Sequence, residues 1–440
     1  MFMTKILFSG SIAVSILETQ LFVFSRFRPR PLRCLQTKTP AAEGGYEPHI
    51  SSTAGTCIFQ RSEPRPRHRV LNYPLRKYHL FDKSAVIMMT ENEDECDVQI
   101  CRLMKPDDAN IAGNVHGGTI LKMIEEAGII ASTRHCNNPA HMNDEYEPSV
   151  SALVRVETTD FLQPMFIGEV AELRGKVTYS APHSVEVQVM VTAENLLKGT
   201  KRLTNFATLW YVPMSADEKG KVLPAPPLKC PSKDVEEAGR ARYEAQKAER
   251  RRIGLGGRPS LLIKSNDFYD DDGSSETLTV SHSRSSLIHL VGPSDCNTYG
   301  YASGGVTMKL MDEVAGCVAA RHCRTNIVTA SMDATNFHKT VRLGSICHLT
   351  GRATFTSNRS LEIEVMVDTE YLLAGSDVRE RAVHAFFTYV SLGPDGRTQP
   401  IPQLKVQTEG EKIRYEEGKL RYEQRKSKRA ANKQSKPSTS

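Results

Sequence analysis

The sequence predicts an α+β protein made of two copies of one unit, each an antiparallel sheet packed on a single buried helix. Three observations lead there. Residues 117–136, GGTILKMIEEAGIIASTRHC, and residues 304–323, GGVTMKLMDEVAGCVAARHC, are two versions of one element, with Gly118 and Gly305 spaced by 187 residues. Both are apolar on nearly every side, the pattern of a buried helix. Period-two runs follow each helix: Val185, Val187 and Val189 alternate with Glu186, Gln188 and Met190, and Leu361, Ile363 and Val365 with Glu362, Glu364 and Met366. Such alternation marks strands. Finally, SAPHSVEVQVM (180–190) matches TSNRSLEIEVM (356–366) at a spacing of 176, so the first copy carries 11 extra residues soon after Cys136. One helix followed by antiparallel strands packs with the helix on one sheet face.

Taken in order, residues 1–92 form a basic extension. Its first forty residues hold Lys5, Arg26, Arg28, Arg30, Arg33 and Lys38 against one acid, Glu18. That acid-poor, Arg-rich balance is the balance of a mitochondrial transit peptide or, alternatively, of a disordered basic extension. Met88 and Met89 stand just before folded sequence begins. A start at Met89 would remove the leader and leave a cytoplasmic protein. Residues 93–215 are the first domain, with strand candidates at 153–156, 169–177 and 203–212. Residues 216–280 are a linker containing a charged helix near 236–252, a flexible turn at GLGGRP and an acidic turn at Asp270 to Gly273. Residues 281–398 are the second domain, with a further strand at 347–355. Residues 399–440 hold a second charged helix, near 415–429, and a disordered end from 430.

At 440 residues, 39% hydrophobic and 25% charged, the chain has the composition of a soluble globular protein long enough for two domains. Its net charge of +6 is concentrated at the two ends. The ten cysteines include no CxxC pair and no Cys/His cluster at zinc spacing, so no metal site is expected, and free thiols suit a reducing compartment. The most apolar run, Ile6 to Phe24, is interrupted by Glu18 and other polar residues, so no membrane span is expected. The basic tail RKSKRAANKQSK lacks interleaved aromatics, so nucleic acid is not an expected partner. GxSxG, GxGxxG, Walker A and HExxH motifs are absent, except for Gly-rich sequence in the linker that follows no strand.

The chemistry-bearing residues cluster at the helix starts. The loops KPDDANIAGNVHGG (105–118) and GPSDCNTYGYASGG (292–305) align so that Asn110 matches Asn297, Gly113 matches Gly300 and His116 matches Ser303. Each helix then carries two adjacent carboxylates, Glu125–Glu126 and Asp312–Glu313. Burying a carboxylate is costly unless it is paired or used. Gly117 and Gly118 expose bare backbone N–H groups at a helix N-terminus, where a carbonyl can be polarised or an oxyanion held. A side-chain amide such as Asn110 can orient water, and a carboxylate such as Asp312 can act as general base or nucleophile. These are the parts of an acyl-transfer site. The same residues have structural uses: Gly pairs make tight turns, Asn closes loops, and one acid of each pair can reach solvent or Lys122 and Lys309. His116 reads as a helix cap, because Ser303 replaces it in the other copy.

The loop PDDANIAGNVHGGTILKMIEEAG, with HLVGPSDCN and GGVTMKLMDEVAG, resembles the double-hotdog acyl-CoA thioesterases. The likeness runs over about residues 97–430 and includes ATLWYVP, SSLIHLVGPSD, TNIVTAS and EGKLRY. It implies tandem hotdog folds, each an antiparallel sheet wrapped around one long helix. It implies hydrolysis of medium- to long-chain fatty acyl-CoA to fatty acid and coenzyme A, without a cofactor, by a homo-oligomer, a trimer of double-hotdog chains. Carried over, the catalytic asparagine falls on Asn110 and the catalytic aspartate on Asp312, with the N–H of Gly118, beside Gly117, on the thioester carbonyl. The family's mirror-image site lacks its asparagine, whereas this chain has Asn297 opposite Glu125. That pair is a candidate second site, expected to be weak or silent. Asn358, Arg359 and Ser360 of the TSNRS turn are candidates for contact with the phosphates of coenzyme A. Two rival functions are a hotdog enoyl-CoA hydratase or dehydratase, in which His116 would serve, and a non-catalytic acyl-CoA-binding protein, which the retention of both Asn–acid pairs argues against.

Overall fold

The computed structural model describes residues 97–110, 113–139, 147–218, 220–255, 277–371, 379–393 and 396–434. The basic extension 1–92, the alternative start at Met89, the GLGGRP turn beyond Leu255, the acidic turn at Asp270 to Gly273 and residues 435–440 lie outside the described residues.

The first half runs β1 (Val98–Leu103), α1 (Gly117–Cys136), β2 (Ser149–Val156), β3 (Thr159–Phe161), β4 (Val170–Ala181), β5 (Ser184–Asn195) and β6 (Thr200–Ser215), then α2 (Lys233–Leu255). The second repeats it: after a single turn, α3 (Val280–Ser283), come β7 (Ser285–Leu290), α4 (Gly304–Cys323), β8 (Asn326–Met332), β9 (Thr335–Phe337), β10 (Ser345–Thr356), β11 (Ser360–Tyr371), β12 (Glu380–Leu392) and α5 (Glu409–Gln434). Each half is a hotdog, with α1 buried against β4, β5, β6 and β2, and α4 against β10, β11, β8 and β12. The alternation read from sequence is real: Val185, Val187, Val189 and Val191 are fully buried in the core, as are Leu361, Ile363, Val365 and Val367.

The halves join through one continuous antiparallel sheet. Its order is β1-β4-β5-β6-β2-β9-β12-β11-β10-β7, with β3 bridging β6 and β8. At the junction Arg155 pairs in register with Asn336, and Asp160 with Ser331. At the repeat spacing of 176, Arg155 corresponds to Ser331 and Asp160 to Asn336, so the two pairings are images of one another. The duplicated unit therefore meets its copy across a pseudo-two-fold axis, the geometry of a self-complementary interface.

The polar face of the central strands is also covered. Glu186 is fully buried and accepts a forked pair of bonds from Arg242 of α2 (2.7 and 2.6 Å). Glu362 is buried and held by Arg421 and Arg425 of α5 (2.7 and 3.0 Å). The charged trailing helices thus lie on the outer sheet face and supply the cations that its acids require. Helix α5 starts on a reciprocal capping pair: Thr408 Oγ1 accepts from the Glu411 N–H, and Glu411 accepts from the Thr408 N–H, each at 3.2 Å. Its backbone continues to Gln434, which corrects the expectation of disorder from residue 430. The reason is local, since Ala430, Ala431, Lys433 and Gln434 are good helix formers. No described helix is long and apolar enough to cross a membrane.

Candidate active site

The two buried helices meet at their N-termini. A Cβ on Gly118 would lie 2.8 Å from the Cα of Lys309, and one on Gly305 would lie 2.9 Å from the Cα of Lys122. The second glycine of each pair is therefore required by backbone-to-backbone contact between α1 and α4. This crossing carries each helix start to the acid of the other helix. The Gly118 N–H donates to Asp312 Oδ2 at 2.7 Å. The first-turn N–H groups of a helix have no partner within it, and here the buried carboxylate of the opposite half takes one.

Asp312 is completely buried and satisfied on both oxygens. Oδ1 accepts from Thr329 Oγ1 (2.9 Å) and from the Tyr389 hydroxyl (2.7 Å). Oδ2 accepts from Gly118 N and lies 3.0 Å from His116 Nδ1. Burial by itself would raise the Asp312 pKa. The charge and hydrogen bond of His116, with the Tyr389 and Thr329 hydroxyls, outweigh burial and hold it below the ordinary carboxylate value. Burial likewise opposes charging of His116, but Asp312's charge and hydrogen bond win and raise its pKa.

The mirror centre is built differently. Glu125, at the position matching Asp312, is buried and takes a 2.6 Å bond from Ser303 Oγ. Where Thr329 serves Asp312, the matching residue is Leu153, whose side chain abuts Gly304. Tyr211, which matches Tyr389, bonds the Glu125 carbonyl at 3.3 Å. Burial dominates and pushes Glu125 up to about 7, against the pull of the Ser303 hydroxyl and the Gly305 N–H. The remaining acids, Glu126 and Glu313, are partly exposed and pair with Lys122 and Lys309 at 3.9 and 3.6 Å. In each helix the second acid is a surface ion pair and the first is the buried one.

The loop asparagines close their own loops. Asn110 Oδ1 accepts from Asn114 N (3.1 Å), and Asn297 Oδ1 accepts from Tyr299 N (3.0 Å) and Tyr301 N (3.1 Å). Asn110 is not among the four partners of Asp312. Its loop is tied to the site through the bond from His116 N to Asp108 O, 2.8 Å. His116 occupies the N-cap, as the sequence led us to expect, and also pairs with Asp312, which it did not. In the TSNRS turn, Asn358 and Arg359 are exposed, while the Ser360 hydroxyl is turned onto Ser357 Oγ at 2.7 Å. Sequence reasoning missed Thr329 and Tyr389. The tyrosine had a signal, because TLWYV and FFTYV repeat it at matched positions; the threonine had none, because its counterpart is a leucine.

A thioesterase superfamily model matches residues 112–200 and 299–371. The chain is similar to the cytosolic acyl coenzyme A thioester hydrolase of Rattus norvegicus, with 57% identity over 336 residues, covering 76% of this chain and 85% of that protein. The protein of the same name from Homo sapiens gives the same identity and coverage. Among solved structures, an acyl-CoA hydrolase from Bacillus cereus is 33% identical, covers 36% of this chain and 96% of that one, and superposes with a TM-score of 0.34.

Proposed function

This chain belongs to the acyl-CoA thioester hydrolases of the thioesterase superfamily, and from that premise we propose that Asp312 and Asn110 form its principal active site. One observation carries the proposal: a fully buried carboxylate of one half is held against the helix N-terminus of the other. The enzyme hydrolyses acyl-CoA thioesters, and we take medium- to long-chain fatty acyl groups as its substrates. Water is the second substrate, and coenzyme A enters with the acyl group and leaves as product. The Gly118 N–H, now on Asp312 Oδ2, is the donor for which a thioester carbonyl competes, with the Gly117 N–H beside it. Asn110 positions the attacking water from a loop that its own Oδ1 keeps closed. Asn297 and Glu125 form the lesser centre, and Asn358, Arg359 and Ser360 contact the phosphates of coenzyme A.

The domains run 93–215 and 281–398, with 216–280 as the linker. The end strands of the sheet carry exposed apolar side chains, such as Ile288 (67%) and Leu290 (61%) on β7, which favours association with further copies. We take the oligomer to be a trimer of chains. The cytosol is the compartment, as named for the rat and human relatives; those names lend no support to a mitochondrial address.

Asp312→Asn and Glu125→Gln test the assignment in a thiol-release assay across acyl-CoAs of increasing length. The first is expected to lower kcat by about 10²–10⁴-fold, the range for loss of acid–base assistance at the site. The second is expected to leave most activity in place. Full activity in Asp312→Asn would refute the assignment.

A further inference from the structure

We propose that His116 is a catalytic residue of this thioesterase, whose Nε2 takes the proton of the attacking water and returns it to the sulfur of departing coenzyme A. The proposal rests on the reading of the Asp312 centre as the working one.

A carboxylate offers about four acceptor directions. Thr329, Tyr389, Gly118 and His116 occupy two on each oxygen of Asp312. An acid satisfied in this way has no ready direction for a water proton. It is well placed to orient a histidine. With the proton on Nδ1, His116 donates to Oδ2 across 3.0 Å. The Gly118 N–H also donates to Nδ1 at 3.1 Å, a bond open only while that nitrogen carries no proton; its bond to Oδ2 is the shorter one, at 2.7 Å, and satisfies the N–H when Nδ1 is protonated. Nδ1–H facing the carboxylate fixes the tautomer and leaves Nε2 as a basic acceptor, made more basic by the charge behind it.

Three further observations place Nε2 where it can work. Among the described residues nothing hydrogen-bonds it. The His116 side chain is 21% exposed, whereas that of Asp312 is 0% exposed, so the ring can meet solvent and substrate where the carboxylate cannot. Gly316 stands beside it, a Cβ there falling 4.0 Å from Nε2. The matching residue in α1 is Ile129, and Ser303 matches His116. One centre therefore combines an imidazole with a missing side chain, and the other a hydroxyl that does not titrate with a branched apolar residue. Among the described residues, the charged groups that act most on the ring are Asp312, Glu313 and Lys309 of α4, and Tyr389 of β12 reaches it through Asp312.

The step balances without another reactant. A water O–H bond breaks, and its proton goes to Nε2. The oxygen bonds the thioester carbon, and the carbonyl π pair moves to oxygen. Collapse of the tetrahedral intermediate breaks the C–S bond, and the sulfur takes the pair and the Nε2 proton. Fatty acid and coenzyme A thiol result, and the acid ionises to solvent.

His116→Asn separates catalysis from structure, because its amide N–H can keep the bond to Asp312 but cannot carry a proton. We expect kcat to fall by about 10²–10³-fold, with KM within a few-fold. The acid limb of the pH profile should disappear, and added imidazole should restore part of the activity of His116→Ala. His116→Asn with activity within threefold of the parent and an unchanged acid limb would overturn the proposal, as would an inactive His116→Ala that imidazole leaves unrescued while its thermal melt matches the parent. Asp312→Asn is the control for the underlying reading. If it is inactive while His116→Asn is active, only this proposal fails; if it is fully active, the Asp312 reading fails as well.

Discussion

Replacing Glu125 with Gln should flatten part of the pH dependence of stability, and the size of the effect follows from the site. Glu125 is buried, with one hydroxyl at 2.6 Å to offset the loss of water. Its pKa stands at about 7 in the fold against an ordinary 4.5. A raised carboxylate pKa means that the folded state binds the proton more tightly than the unfolded chain. Its contribution is therefore fully present below pH 4.5 and is lost as pH rises through about 7. The difference of 7 − 4.5 = 2.5 units, at about 1.4 kcal/mol per unit, amounts to about 3.5 kcal/mol over the whole titration. Gln keeps an oxygen for the Ser303 hydroxyl and never ionises. Denaturant unfolding of parent and Glu125→Gln at pH 5 and pH 8 reads the effect. Part of the contribution is already lost at pH 5, which lies above 4.5, so the variant should gain on the parent by about 2.5 kcal/mol between those two points. Asp312 and His116 also titrate in both proteins, but they cancel in the comparison. Parallel curves, with a constant offset, would refute the reasoning.

Other expectations follow from the same contacts. Gly118→Ala forces a Cβ to 2.8 Å from the Cα of Lys309, and since backbone cannot yield, it should cost about 1–3 kcal/mol and lower activity together with Tm. Tyr389→Phe removes the hydroxyl that donates to Asp312 Oδ1, so stability should drop by about 1.5–3 kcal/mol and the Asp312 pKa should rise, seen as a shift of any acid limb that Asp312 governs. Arg421→Ala leaves the buried Glu362 to Arg425 and Thr354 and uncovers the Phe386 ring beneath the guanidinium; a loss of about 3 kcal/mol in denaturant unfolding is expected, with kcat unchanged.

What could be read beforehand was whatever repeats. Gly118 and Gly305, the buried helices and the alternating valines declare themselves by recurring at fixed spacing. Burial of Glu125 and Asp312 followed from the apolar surroundings of each. The reason for the glycines did not. Seen alone, a Gly pair at a helix start suggests a ligand approaching bare backbone, and only the crossing of α1 and α4 shows that the second glycine is also a packing requirement, since Lys309 and Lys122 stand where a Cβ would lie. The donors to Asp312 were hidden for a related reason. Thr329 and Tyr389 are ordinary strand residues whose meaning depends on register, and they arrive at the carboxylate from β8 and β12. The burial of Glu186 and Glu362 was likewise out of reach, since period-two alternation says which residues share a face but not that α2 and α5 return to cover it.

The duplication places two nearly equivalent crossings in one molecule, and four matched positions make them unequal. Asp312 faces Glu125, His116 faces Ser303, Thr329 faces Leu153, and Gly316 faces Ile129 across the repeat. These differences act together. The short aspartate stays charged because a tyrosine, a threonine, a histidine and a backbone N–H converge on it, and replacing the threonine with leucine would remove one donor and add apolar surface. The longer glutamate, with a serine hydroxyl and an apolar neighbour, is pushed toward the neutral acid instead. A buried carboxylate that is half protonated near neutrality cannot sustain an ion pair across the crossing, so the Glu125 centre does not need a histidine, and Ile129 can occupy the volume that Gly316 leaves open. The polarity of the pair thus follows from which acid each helix carries, and the surrounding residues are consistent with that choice at every matched position.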